Sequence, residues 1–242
     1  MKALFSILFF IVVQITFGQT NQYGKKIAYR FEHNFNANLY TRGMGLGYSY
    51  GKIKGIYKTK YNNIELSYYK DAKEKRTLSY YGAQRAFIYG KANSFYNLKL
   101  SRSWAKVLFF KSEDKGVRIN FTRKLGLNMG VLKPYYIYVF GSETVIEAVR
   151  FEDNPSSFLT PSQIHSGAEW STGLLESLIV PGATCEAGLN FDFGEFTDLV
   201  RILELGITLD VYHRPVSVMV ASEPTYYFVT LYSRFNFGWR GI

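Results

Sequence analysis

The sequence predicts an all-β chain that closes into a transmembrane, antiparallel up-and-down β-barrel of about ten strands, with eight as the alternative. Three observations carry this. From Tyr227 onward the chain alternates strictly: Tyr227, Val229, Leu231, Ser233, Phe235, Phe237 and Trp239 share one face, and Phe228, Thr230, Tyr232, Arg234, Asn236 and Gly238 the other. A period of two means a strand with different solvents on its two sides. The same alternation recurs along the chain although mean hydropathy is only −0.09, because a barrel wall shows its membrane character at every second position. Finally, Met1-Lys2, the apolar run Ala3 to Phe17 and the small residues Thr16 and Gly18 read as a secretory signal peptide over residues 1–18. The run is shorter than the ~20 residues of a spanning helix. Residues 19–242 then read as one barrel domain.

The strands follow in order. Ile27 to Thr41 sets Ile27, Tyr29, Phe31, His33, Phe35, Ala37 and Leu39 outward, with Arg30, Glu32, Asn34, Asn36 and Asn38 inward. Met44 to Lys52 points Met44, Leu46, Tyr48 and Tyr50 out, and Tyr57 to Tyr69 points Ile64, Leu66 and Tyr68 out against Asn63, Glu65 and Ser67. Phe87 to Leu100 is the fourth strand and Trp104 to Phe110 a short fifth. Val117 to Val131 is the sixth, Tyr135 to Gly141 the seventh, Ala183 to Phe193 the eighth, Leu199 to His213 the ninth, and the C-terminal segment the tenth.

On this count every long connection, including the external loop 142–182, falls on one side, and short turns at 53–56, 101–103, 132–134 and 194–198 fall on the side of the termini. That asymmetry is the rule for outer-membrane barrels. One residue resists. Arg123 falls on the lipid-facing parity near the middle of its strand, where a charge costs ~2–4 kcal/mol; either a bulge shifts the parity or the strand boundary is misplaced.

Chemistry-bearing patterns are sparse. The lone Cys185 faces outward and has no partner for a disulfide. His33 and His213 also take outward parity, His165 sits in the long loop, and no His or Cys spacing suits a metal ion. Asp210 and His213 fall on opposite faces of one strand, which separates them as an acid–base pair. Glu143, Glu147, Glu152, Asp153 and Glu169 stand apart from one another. No catalytic residue, cofactor or metal is therefore expected. Losing Lys2 with the signal leaves 28 basic against 19 acidic side chains. In an exported chain the counter-charge is lipid phosphate rather than nucleic acid.

Inward parity collects Arg30, Lys91, Arg118, Lys124 and Arg234 with Glu32, Glu65, Glu186, Asp192, Glu204 and Asp210. So balanced a set reads as a salt-bridge network filling the lumen, whereas a solute filter would show an excess of one sign. Tyr29, Phe235, Phe237 and Trp239 fall where a membrane interface wants aromatic rings. In the external loop Phe151, Phe158 and Trp170 are candidates for contact with a partner, and Ala168 to Leu178 for a short helix.

Phe17-Gly18-Gln19, Asn34 to Leu39, Gly90 to Tyr96, Gly188 to Gly194 and Leu203 to Asp210 together resemble the small outer-membrane β-barrel proteins of Bacteroidota. The resemblance covers most of the mature chain. It implies a barrel in the bacterial outer membrane and brings no catalytic residues with it. The expected partners are outer-membrane lipids, lipopolysaccharide and other outer-membrane proteins met through the external loops. A structural or interaction barrel with a plugged lumen, in its finer form an accessory subunit of a secretion or uptake assembly, leads. A narrow porin-like diffusion channel and a membrane-embedded hydrolase are the rivals.

Overall fold

The computed structural model describes residues 29–55, 57–78, 85–110, 116–140, 146–194 and 198–241. The signal peptide, Ile27 and Glu143 lie outside the described residues. Among the described residues thirteen strands form: β1 (Phe31–Tyr40), β2 (Gly43–Ile53), β3 (Lys58–Tyr69), β4 (Arg76–Thr77), β5 (Phe87–Ile88), β6 (Asn93–Phe109), β7 (Arg118–Pro134), β8 (Tyr136–Phe140), β9 (Ile146–Arg150), β10 (Ile164–Gly167), β11 (Leu178–Asp192), β12 (Leu199–Val216) and β13 (Thr225–Gly241). Eight of them close a barrel in the order β1-β13-β12-β11-β7-β6-β3-β2, every neighbour antiparallel. No helix among the described residues is long and apolar enough to cross a membrane.

The strand count is therefore eight, not ten, for two separate reasons. Ser101-Arg102-Ser103, read as a turn, lies in the middle of β6, so the fourth and fifth strands are one. The seventh, Tyr135 to Gly141, contributes β8, which leaves the barrel and pairs with β9 and β10 in a small separate sheet. Either correction alone would move the long loop to the other side; together they keep it opposite the termini. β6 ends at Phe109 and β7 begins at Arg118, both at the end that carries the termini. Residues 132–134 are the upper end of β7, where the chain passes into that small sheet.

Following register partners once around the wall gives the tilt. From Tyr40 the path runs through Tyr232, Gly206, Gly188, Thr122, Ala105, Thr59 and Ile53 and returns to β1 at Arg30, ten residues lower. Ten residues of ~3.3 Å against eight gaps of ~4.8 Å incline the strands by about 40°. A wall of that size has an interior that side chains can fill.

The seam between the first and last strands pairs Phe31 with Gly241 through to Tyr40 with Tyr232 without interruption. At Gly238 the backbones approach so closely that a Cβ would stand 1.6 Å from the His33 carbonyl oxygen. Gly238→Ala should thus push the seam apart and cost about 1–3 kcal/mol, read as a lower urea midpoint. An unchanged midpoint would contradict the close approach.

The wall's polarity is inverted relative to a soluble protein. Leu46, Leu66, Leu127 and Leu231 are 58–71% exposed, whereas Glu32, Glu65, Glu186, Glu204, Asp192 and Asp210 are at most 4% exposed. Outward rings gather near the termini, where His33 stacks on Trp239 and packs beside Tyr50, and Phe31 stacks on Tyr50. Tyr29, Phe235, Phe237 and Trp239 share this outward face, and the Tyr29 hydroxyl donates to Asp198.

Candidate functional site

The lumen is built by the inward half of the alternation. Arg234 on β13 is its hub. Its guanidinium lies 3.2 Å from Glu65, 2.8 Å from Glu186 and 3.0 Å from Glu204, and its Nε donates to Asn38 at 2.8 Å. Lys124 adds a 2.9 Å pair with Glu186, and Lys99 a 2.9 Å pair with Asp210. A second tier lies nearer the termini. There Arg240 pairs with Glu32 at 3.2 Å and Asp192 at 2.6 Å, and Arg118 with Asp192 at 3.1 Å. Tyrosines complete the coordination. Tyr40 donates to Glu65, Tyr61 to Glu32 at 3.1 Å, Tyr69 to Asp210 at 2.6 Å and Tyr232 to Glu204 at 2.6 Å. Buried charges persist only when paired and hydrogen-bonded in this way.

Two of the expected lumen residues are elsewhere. Arg30 is exposed because it precedes β1, below the rim, although its parity is inward. Lys91 is buried in the cap above the barrel rather than in its wall. The chain turns at Gly90, whose φ is +68°, and β6 starts only at Asn93. There Lys91 pairs with Glu74 at 3.0 Å and donates to the Tyr68 hydroxyl at 2.8 Å. Their places in the lumen are taken by Lys99 and Arg240, so five cations still face six carboxylates among the described residues. Simple parity marked both newcomers: Lys99 lies between outward Leu98 and Leu100, and Arg240 is two residues beyond Gly238. The same parity marked Tyr40, Tyr212 and Tyr232.

Above the charges the lumen turns aromatic. Phe95, Tyr69, Tyr212 and Phe228 pack with ring centroids 5.3–6.0 Å apart. Val218 and Met219, from the 217–224 connection, join that cluster, and Met219 bridges to Lys91. Side chains thus occupy the lumen at two levels, charges below and rings above.

The outer cap has its own small core. Phe87, Ile137, Val139, Val149, Phe158 and Ile164 pack together, with Phe151 against them. Asn154 caps the one-turn helix α1 (Pro155–Phe158) by accepting from the Ser157 amide. Phe158 is 1% exposed and meets the Phe151 ring at 5.9 Å. Phe158 is spent inside the cap, which corrects its expected role, whereas Phe151 is partly buried and keeps part of its surface outside. Trp170 is 65% exposed, and its indole donates to the Tyr96 hydroxyl at 2.8 Å on the outer wall. Residues 168–177 form turns rather than the expected helix, and Gly173, at φ +76°, sits within them. Burial and a 2.7 Å hydrogen bond to Glu176 hold the Tyr136 phenol above its ordinary pKa, and Arg150 reaches the same carboxylate at 2.8 Å.

No cluster of three or more His, Cys, Asp or Glu suited to a metal occurs among the described residues. His33 shares a 2.6 Å hydrogen bond with Tyr48, His165 packs on Phe140, and His213 is exposed. Cys185 is free and faces outward.

Arg123 is the remaining anomaly, and neither expected explanation holds. Its register partners Trp104 and Ala187 run on without a bulge, and its side chain is exposed. It stands five residues above the lower end of β7 and eleven below the upper end, in the half of the wall nearer the termini. There a long side chain can reach the interface, and the cost of its charge falls toward ~0–1 kcal/mol.

No family model matches the chain, and no curated protein matches it. Among solved structures it is similar to Neisserial surface protein A, with 8% identity and a TM-score of 0.37 over 88% of this chain and 94% of that one. It is also similar to the N-terminal β-barrel domain of Pseudomonas aeruginosa OprF, with 13% identity and a TM-score of 0.31 over 85% and 96% respectively.

Proposed function

We propose that the chain is an integral outer-membrane β-barrel with a plugged lumen that serves as a structural or interaction component through its outer cap. One observation carries this reading: the closed wall is apolar outside and charged inside. Closure leaves no unpaired strand edge, the condition for crossing lipid with strands. The export signal read at residues 1–18 supports the same location. Five lumen cations tied to six carboxylates, under a layer of rings, favour a plug over a solute path. The cap's ordered sheet, β10-β8-β9, supports contact with other outer-membrane components. In its finer form that role is an accessory subunit of a secretion or uptake assembly.

Purified protein in a planar bilayer should show no steady ohmic steps above background, while its electrophoretic mobility should still shift on heating. Open steps of uniform size would replace the plug with the narrow-channel reading. Failure to enter bilayers at all would remove the membrane reading itself.

A further inference from the structure

The six carboxylates of the barrel strands all face inward, so among the described residues the wall's outer charges are basic. They are also concentrated. Lys52 on β2, Lys58 and Lys60 on β3, Arg102 and Lys106 on β6 and Arg123 on β7 are exposed side by side. Register places Lys52 opposite Lys60, Lys58 opposite Lys106, and Trp104 between Lys60 and Arg123. Like charges directly opposite across strands repel. None of these six cations is paired with a carboxylate among the described residues. Arg102 has one neutral partner, Asn62 at 3.3 Å. Among the described residues the cluster lacks its counter-charge. Beside it, starting at Ala187, the register partner of Arg123, the wall is dented. The short Ala187 side chain, ringed on the outer face by Phe121, Leu189, Leu205, Ile207 and Leu231, leaves an open groove of about 570 Å³.

We infer that this wall holds one anionic glycerophospholipid, its phosphate among Arg102, Arg123 and the neighbouring lysines and an acyl chain in the groove beside them. The inference rests on the membrane reading. Arginine binds phosphate through a planar fork, and lysine as a point charge. Each basic group near a membrane surface favours an anionic headgroup. Two observations coincide here: cations without a counter-charge among the described residues, and an apolar groove that begins one strand away from Arg123, at its register partner Ala187. They fit a single amphiphilic ligand. The patch lies toward the termini, so the lipid belongs to the leaflet on that side.

Trp104 sits within the patch and can report on it. With Trp170→Phe and Trp239→Phe it becomes the sole tryptophan. The full barrel is then refolded into phosphatidylcholine vesicles containing increasing brominated phosphatidylglycerol or brominated phosphatidylcholine. Brominated phosphatidylglycerol should reach half-maximal quenching at a mole fraction about fivefold lower or less, given two or more basic contacts. Arg102→Gln with Arg123→Gln should bring the two lipids level while the barrel stays assembled, because only exposed charges are removed. Equal quenching by both lipids before any arginine is changed would overturn the site. Selectivity that survives the double substitution would overturn the arginines' role. Full displacement by inorganic phosphate would assign the patch to a soluble anion instead and also overturn the proposal. A barrel that does not enter vesicles at all fails at the membrane reading, a result distinct from loss of selectivity in an inserted barrel.

Discussion

Arg234→Met should lower the unfolding free energy of the folded barrel by about 3–5 kcal/mol, the cost of leaving buried charges uncompensated. Arg234 is 2% exposed and lies within 3.2 Å of three carboxylates on three other strands, β3, β11 and β12. Without it Lys124 and Lys99 must serve Glu65, Glu186, Glu204 and Asp210 alone, and the Tyr232 ring loses the cation 4.7 Å from its centroid. Arg234→Lys should recover only part of the loss, since one ammonium cannot span the fork that reaches three partners. Glu204→Ala should cost less, about 1–3 kcal/mol, because Arg234 keeps Glu65 and Glu186 while the Tyr232 hydroxyl loses its acceptor. Lys75→Ala, on an exposed part of the 70–86 connection, should stay within about 0.5 kcal/mol. Urea unfolding from vesicles orders these variants. An Arg234→Met midpoint equal to that of Lys75→Ala would mean that the network does not hold the barrel together.

The barrel was legible wherever the two faces differ chemically. In β1, β3 and β13 every second residue changes from ring or aliphatic to amide or charge, so parity and closure follow from the pattern alone. The pattern failed at one chemical feature in two places. Arg102 between two serines read as a turn, and Arg123 read as a bulge or a misplaced strand boundary, because both assignments assumed that a lipid-facing wall carries no charge. Both side chains belong to the same basic patch on adjacent strands, so the false turn at 101–103 and the unexplained arginine have a common cause. Tyr136 to Phe140 misled differently. Its period of two is real, but its partners are β9 and β10, and one strand's alternation does not name the sheet to which it belongs.

The lumen shows how far parity reaches. It assigns Lys99 and Arg240 inward as readily as Lys124 and Arg234. It cannot say where the wall ends, and so it counted Arg30, below the rim, and Lys91, above it. Wall height depends on tilt, and tilt depends on register offsets summed over all eight strands. That sum is a property of the closed sheet, and no single segment carries it. The cap was less legible still. Phe158 looked like a contact residue because an aromatic ring in a loop has no parity to mark it as buried. Only the pairing of β8 with β9 and β10 makes a floor for it to cover.

Deleting residues 225–242 should abolish assembly altogether, whereas replacing the cap segment 138–174 with a short Gly-Ser turn should leave the barrel closed. β13 is paired with β1 from Tyr232 to Gly241 on one side and with β12 from Tyr227 to Trp239 on the other. Its loss strips two edges of partners in a region without water, where each unsatisfied backbone group costs several kcal/mol. No rearrangement of seven strands repairs that cheaply, since closing β1 onto β12 would break a register shared by the whole wall and would remove Arg234 and Arg240 from both lumen tiers. The cap is different. β7 and β11 are already paired from Leu132 with Leu178 downward, so the chain entering and leaving the cap is held together by the wall itself. A hairpin turn there closes at the modest entropy cost of a short loop. The replacement loses the packing of Phe158, Ile137 and Ile164, all of which lies outside the barrel sheet. Heat-modifiable mobility in membrane fractions reads both outcomes. Folded barrel recovered without 225–242 would refute closure by β13, and loss of the barrel with the cap replaced would make the outer sheet part of the fold instead of a platform standing on it.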